Sequence, residues 1–265
     1  MTTVGKTELA PESPDNIHAI IQLAAEAGRI VLENGGETNR VEDIVQHVCE
    51  IFGVKSASCF ATPTGIMLSA IDTEGHTASL IKRIHSRTTN LEKLAKIKNL
   101  VYSFSSEEIT INGFKARLKD IDQTKQYTKR VNILAACIGA GCFTYVYGGN
   151  AYDFIVSFFI GGIIKGVSLF LEHFNVNNFF VNVIGGALTA WIAMFSVQMH
   201  FGCNQNEIII GALMLLVPGL AITNAIRDTI YGDYVSGTSR AVEAFLVAIG
   251  IAVGAGVVLK FWYLF

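Results

Sequence analysis

The chain has 265 residues, 22 acidic and 20 basic side chains, a formal net charge of −2 and 51% hydrophobic residues. Sixteen acids and sixteen bases fall within residues 1–130, and only six acids and four bases within 131–265. The first half balances its charge and has no basic stripe with interleaved aromatics, which argues against a nucleic-acid partner. The second half has too little charge for the polar face of a soluble domain, and a chain facing hydrocarbon needs none. The five cysteines form no C-x-x-C pair and no cluster with histidine, so neither a disulfide framework nor a metal site is expected.

Residues 1–14 read as a disordered leader without the apolar stretch of a cleavable signal peptide. Ser13-Pro14-Asp15 then opens a helix over Asp15–Glu33, with apolar positions at helical spacing, ended by Asn34-Gly35-Gly36. Thr38 can cap a second helix that Gly53 closes. The period then changes. Ser56–Ala61, Ile66–Ile71 and Thr77–Ile84 are short, rich in β-branched and apolar residues, and separated by turn sequences, so they predict a small antiparallel sheet. Helical patterns return over Asn90–Phe104 and about Ser106–Gln126. Residues 15–130 therefore predict an α+β domain of helices on one small sheet.

Residues 131–265 predict a transmembrane domain of five helical spans, at about 131–149, 152–171, 178–199, 207–226 and 241–263. Each is near the length of about 20 residues that crosses a bilayer core. Lys125, Lys129 and Arg130, then Lys165, then Arg227 and Arg240 fall at alternate ends of the spans. The positive-inside tendency then places the N-terminal domain in the cytoplasm and the C-terminus outside. Glycines such as Gly161, Gly186 and Gly254 sit where small residues let helices approach closely.

The fourth span carries the densest chemistry. Pro218-Gly219 interrupts it, and a helix broken at membrane depth is tolerated where it faces protein or a wet cavity. A simple kink is the plain alternative. Thr223, Asn224, Arg227 and Asp228 follow, then Asp233, Arg240 and Glu243. Ionisable groups near membrane depth are costly and are usually paired or functional. Arginine offers a planar fork to a carboxylate, though Arg227 and Arg240 also fit a positive-inside anchor, with Asp228 and Asp233 as their ion-pair partners. Lys165 either snorkels, neutralises an acid or faces a pathway. Asp153, His200 and Glu207 read as interfacial groups or proton-coupling groups. Thr62, Thr64, His85 and Glu37 are the groups a membrane-anchored hydrolase would use, but no nucleophile stands beside a base in sequence. A sensor or scaffold with a passive anchor would gain nothing from the broken, polar fourth span.

Gly35-Gly36-Glu37-Thr38 with Arg40-Val41-Glu42, and Phe60 through Ile66, resemble the N-terminal domain of the threonine/serine exporter (ThrE/YjjP) family. The run from Leu216-Val217-Pro218-Gly219 through Thr223-Asn224-Ala225-Ile226-Arg227-Asp228 to Gly232-Asp233, Ser236-Gly237, Arg240 and Glu243-Ala244 resembles its membrane half. The resemblance implies a multi-pass plasma-membrane transporter, not an enzyme. It would be a secondary exporter of threonine and serine or of a dicarboxylate such as succinate, without a cofactor. Full-length members carry a second hydrophobic half, so the resemblance is to the longer subunit of the split type. A small membrane subunit of the same family would complete it as an oligomer in the lipid bilayer. On that reading Lys165, Pro218, Gly219, Thr223, Asn224 and Arg227 line the path of the small-molecule substrate. Asp228, Asp233, Arg240 and Glu243 serve as coupling groups or ion pairs.

Overall fold

The computed structural model describes residues 14–103, 110–124, 127–174, 176–262 and 264. The expected leader therefore lies, but for Pro14, outside the described residues, as do Lys125 and residues 106–109 at the start of the fourth predicted helix. The chain forms two compact units. One contains the described residues of 1–126 together with Thr223–Arg240, and the other contains Tyr127–Ile222 with Ala241–Phe265.

The first unit begins with α1 (Pro14–Glu33) and α2 (Thr38–Ile51). Ile17, Ile20, Ile21, Ala24 and Ala27 recur at helical spacing and are buried, as are Val41, Ile44, Val45 and Val48 of α2. Gly28 lets the two helices close up, because a Cβ there would lie 2.7 Å from Val45 Cγ2. Strands β1 (Ser56–Thr62), β2 (Gly65–Ile71) and β3 (Thr77–Arg83) form an antiparallel sheet in the order β1-β2-β3. Ala61, Ile66, Leu68, Ala70 and Ala78 face the helices, while Phe60, Met67 and Ile81 stand in register on the open face. Helices α3 (Leu91–Ser103) and α4 (Ile111–Asp122) complete the core with Ile97, Val101, Phe114 and Leu118. The thiols of Cys49 and Cys59 are pushed up to about 12 by burial, so they stay protonated at neutral pH.

The remaining helices are α5 (Lys129–Val146), α6 (Ala151–His173), α7 (Asn178–Gln198), α8 (Gln205–Leu213), α9 (Gly219–Ile230) and α10 (Tyr234–Trp262). Among the described residues three helices, α6, α7 and α10, are long and apolar enough to cross a membrane. The predicted fourth span is divided into α8 and α9, pieces of 9 and 12 residues. Leu216 N–H turns back to Leu213 O at 2.9 Å in the interruption, and Pro218 has no N–H to carry a helix through it. The predicted fifth span is longer than expected, because α10 starts at Tyr234.

Glycine and small hydroxyls pack the second unit. A Cβ on Gly161 would lie 2.5 Å from Ala136 O, and one on Gly186 would lie 2.5 Å from Ile251 O. A Cβ on Gly211 would overlap Thr144 Oγ1 and lie 2.5 Å from the Thr144 backbone. Thr144 Oγ1 donates to Ser157 Oγ at 2.6 Å, which joins α5 to α6 without exposing a polar group. The outward surfaces of α6, α7 and α10 show Phe159, Phe170, Trp191 and Phe245. Such side chains suit a hydrocarbon solvent.

Candidate functional site

The first unit brings together two stretches about 190 residues apart in sequence: the loop between α1 and α2, and Thr223–Arg240. The loop begins where α1 runs out of helical partners. Asn34 Nδ2 donates to Ile30 O at 2.7 Å, and Gly36 N–H returns to Val31 O at 2.9 Å. Gly35 adopts φ +93°, and a Cβ on Gly36 would overlap Val31. Both glycines are therefore required by the turn.

Four successive carbonyls of this turn each find a donor. Glu33 O accepts from Thr88 N–H at 2.7 Å, and Asn34 O accepts from Asn90 N–H at 3.1 Å. Gly35 O accepts from Asn224 Nδ2 at 2.9 Å, and Gly36 O accepts from Arg240 Nη2 at 2.8 Å. The start of α2 is served from the same segment. Asp228 Oδ1 accepts from Thr38 N–H at 3.3 Å, and Asp233 Oδ2 accepts from the Thr38 hydroxyl at 3.1 Å. Two carboxylates thus complement the positive end of α2, which has no side-chain cap of its own.

The segment holds its own shape. Arg240 Nε lies 2.9 Å from Asp228 Oδ2, an ion contact. Asp233 N–H donates to Asp228 O at 2.8 Å, and Thr229 Oγ1 donates to Ala225 O at 2.7 Å. A Cβ on Gly237 would lie 3.0 Å from Ala225 O, so α10 starts tight against α9. Beside this cluster Glu42 Oε1 accepts from Ala61 N–H at 2.7 Å. Burial pushes the Glu42 carboxyl above its ordinary range; the Ala61 N–H opposes the rise, and the charges of Asp233, Asp43 and Asp228 add to it.

The two arginines differ in access. The side chains of Arg240 and Asp228 are 5% and 0% exposed, and Arg240 is committed to that carboxylate and to Gly36 O. Arg227 is 55% exposed and its Nη1 donates to Glu37 Oε1. Arg240 is thus built into the fold, whereas Arg227 presents a solvent-reachable guanidinium whose present partner is another carboxylate.

The other nominated residues lie elsewhere. Lys165 is half-buried on α6, Pro218 and Gly219 lie at the interruption, and Glu243 is exposed on α10, all in the second unit. Thr223 opens the segment and is exposed. Asp153 is a buried cap: its carboxylate accepts Asn150 N–H at 2.9 Å, Cys203 N–H at 2.7 Å, and the N–H and Nδ2 of Asn204 at 3.0 and 2.8 Å. Of the groups a hydrolase would need, Thr62 Oγ1 is spent on Gly65 O, His85 is exposed, and Glu37 is held by Arg227. Sequence reading left out Thr38 and Glu42 as partners of the segment. The only local signal for them was their place inside the Gly35–Glu42 motif.

The family model described as "Putative threonine/serine exporter" matches residues 22–262. The chain belongs to this exporter family. It is 22% identical over 249 residues to the "Probable succinate transporter subunit YjjP" of Escherichia coli, covering 92% of this chain and 95% of that one. It is 24% identical over 253 residues to the "Threonine/serine exporter" of Corynebacterium glutamicum, covering 91% of this chain and 50% of the relative. A "Probable threonine/serine exporter" of Mycobacterium tuberculosis is 19% identical, with 93% and 47% covered. The chain therefore spans nearly all of the subunit-type relative and about half of the two exporters. No solved structure matches it. Threonine/serine exporter family members are transporters, not enzymes, and the apolar α6, α7 and α10 fit a membrane protein.

Proposed function

We propose that this chain is the longer subunit of a secondary exporter, completed by a small membrane subunit of the same family. It moves small polar or anionic metabolites, threonine and serine or a dicarboxylate such as succinate, out of the cytoplasm. Coverage of nearly the whole YjjP relative but half of the exporters supports the split arrangement. The alternation of Lys and Arg supports five spans in the plasma membrane, with the N-terminal domain cytoplasmic and the C-terminus outside.

The observation that carries the reading is the exposed Arg227 fork resting on Glu37. Glu37 there stands in for a substrate carboxylate. An incoming carboxylate displaces it, forms the same charge-assisted hydrogen bonds, and leaves Glu37 free to meet an ammonium group. Thr223 and Asn224 precede Arg227 by about one helical turn, and Pro218, Gly219 and Lys165 are the further residues proposed for the substrate pathway. Asp228 keeps Arg240 in place. Asp233 and Glu243 are the carboxylates proposed for ion coupling.

The test is efflux of labelled threonine and labelled succinate from proteoliposomes holding this chain with and without its small partner. Flux requires both chains, and Arg227→Ala lowers it by about tenfold or more, the value of one charge-assisted contact. Glu37→Gln removes the internal competitor and lowers the half-saturating concentration of succinate, whereas for threonine it also removes the partner of the ammonium group and that gain is lost. Undiminished flux in Arg227→Ala removes Arg227 from the path. Flux by this chain alone removes the partner.

A further inference from the structure

Away from the loop cluster, the first unit contains a cavity of about 560 Å3 bounded by α1, β3 and α4. Its floor is apolar. Leu23 and Ile30 of α1 and Leu118 of α4 are buried beneath it, and Leu80 of the edge strand β3 is half-buried beside them. A groove with so apolar a floor would normally close by moving the helices together. Ion pairs fix the walls. Glu26 of α1 meets Lys82 of β3 at 2.9 Å, and Arg29 of α1 meets Asp122 of α4 at 2.7 Å. Lys93 Nζ also donates to Asp122 O at 2.6 Å. The elements that border the space are thus linked by side chains that reach across it.

The charge around the cavity is uneven. Burial would raise the Glu26 carboxyl, but Arg29 and Lys82 outweigh it and hold the group below its ordinary range. The acids of the cavity are therefore answered by bases already in place. Lys115 and Lys119 add two exposed ammonium groups on the α4 wall, one helical turn apart. Small-molecule sites in this volume range combine a mostly apolar lining with a few fixed polar groups.

We propose that this cavity binds a small amphipathic organic acid, its apolar body on Leu23, Ile30, Leu80 and Leu118 and its carboxylate on Lys115 and Lys119. The site is separate from the Arg227–Glu37 pair and makes the first unit a receptor for an effector as well as a support for the loop cluster.

The test uses the full chain in nanodiscs of zwitterionic lipid and fluorine NMR of para-trifluoromethyl-phenylacetate, with the signal of empty nanodiscs subtracted. The probe's line broadens with the wild-type chain. Lys115→Glu with Lys119→Glu weakens binding by at least about tenfold, and the neutral probe para-trifluoromethyl-benzyl alcohol binds weaker by a similar factor. Ala19→Trp fills the cavity and abolishes broadening by both probes. Circular dichroism melts confirm that each variant is folded, and the lysine changes lie on an exposed surface. Equal broadening by the charge-reversed chain, or by the neutral probe, overturns the acid assignment. Undiminished broadening by folded Ala19→Trp overturns the site.

Discussion

The two units solve the same problem, holding distant segments together, with different chemistry. In the first, Thr223–Arg240 is fastened to the α1–α2 loop by side-chain hydrogen bonds, and a buried ion pair holds the segment itself in shape. In the second, helices meet where a missing side chain lets backbones touch, as at Gly161, Gly186 and Gly211. A polar contact that water can reach has to be geometrically complete or buried to count. Apolar helices in lipid gain no hydrophobic drive for association, so close packing carries more of the burden where helices such as α6, α7 and α10 meet their neighbours. Charge substitutions should therefore be most disruptive in the first unit, and added volume in the second.

The largest effect expected is at the buried pair. Asp228→Ala leaves Arg240 buried without its carboxylate and should cost about 3–5 kcal/mol, read from denaturant or thermal unfolding of the purified chain. Adding Arg240→Ala should cost less than the sum of the single changes. Strict additivity would mean that the two groups do not act as a pair.

Gly211→Ala comes next. Its methyl group would overlap Thr144 where α8 crosses α5, at a cost of about 1–3 kcal/mol. Gly219→Ala, where a Cβ meets nothing within 4 Å, is the matched control. Equal melting temperatures for the two variants would break the contrast drawn for the second unit.

Arg227→Ala should lower stability by less than about 1 kcal/mol, because the pair with Glu37 is half open to solvent. It should still remove most transport. The separation of a small stability effect from a large flux effect is what distinguishes Arg227 from Arg240.

The smallest effect concerns pH. The Glu42 carboxyl is raised in the folded state, so between its unfolded and folded values the native chain holds more protons than the unfolded one. Stability then falls as pH rises through that window. Glu42→Gln keeps an acceptor for Ala61 N–H and removes the penalty. It should melt higher than wild type above the window and match it more closely below. A wild-type advantage above the window would show that the charged carboxylate is favoured there.

Much of the local architecture was legible from residue order. Helix periodicity marked α1 and α2 to within a residue or two, and short runs of β-branched and apolar residues between turn sequences marked the three strands. Pro218-Gly219 marked the interruption. What stayed hidden was who holds whom. Arg227 and Asp228 are neighbours in sequence, yet one faces solvent with Glu37 and the other is buried with Arg240. Adjacent helical positions point in different directions, so depth cannot be read from proximity along the chain. Thr38 likewise read as an ordinary cap, and Glu42 only as part of a motif, until Asp228, Asp233 and Ala61 stood beside them.

Residue order by itself determined the change from a charged half to an apolar one, the helices and strands, and the exporter-family motifs, because period and composition are local properties. The tertiary structure alone decided that Asn224, Asp228, Asp233 and Arg240 close on the Gly35–Thr38 loop and that Arg227 stays accessible. Hydrogen-bond partners and burial depend on distances between segments far apart in the chain, and no local pattern encodes those distances.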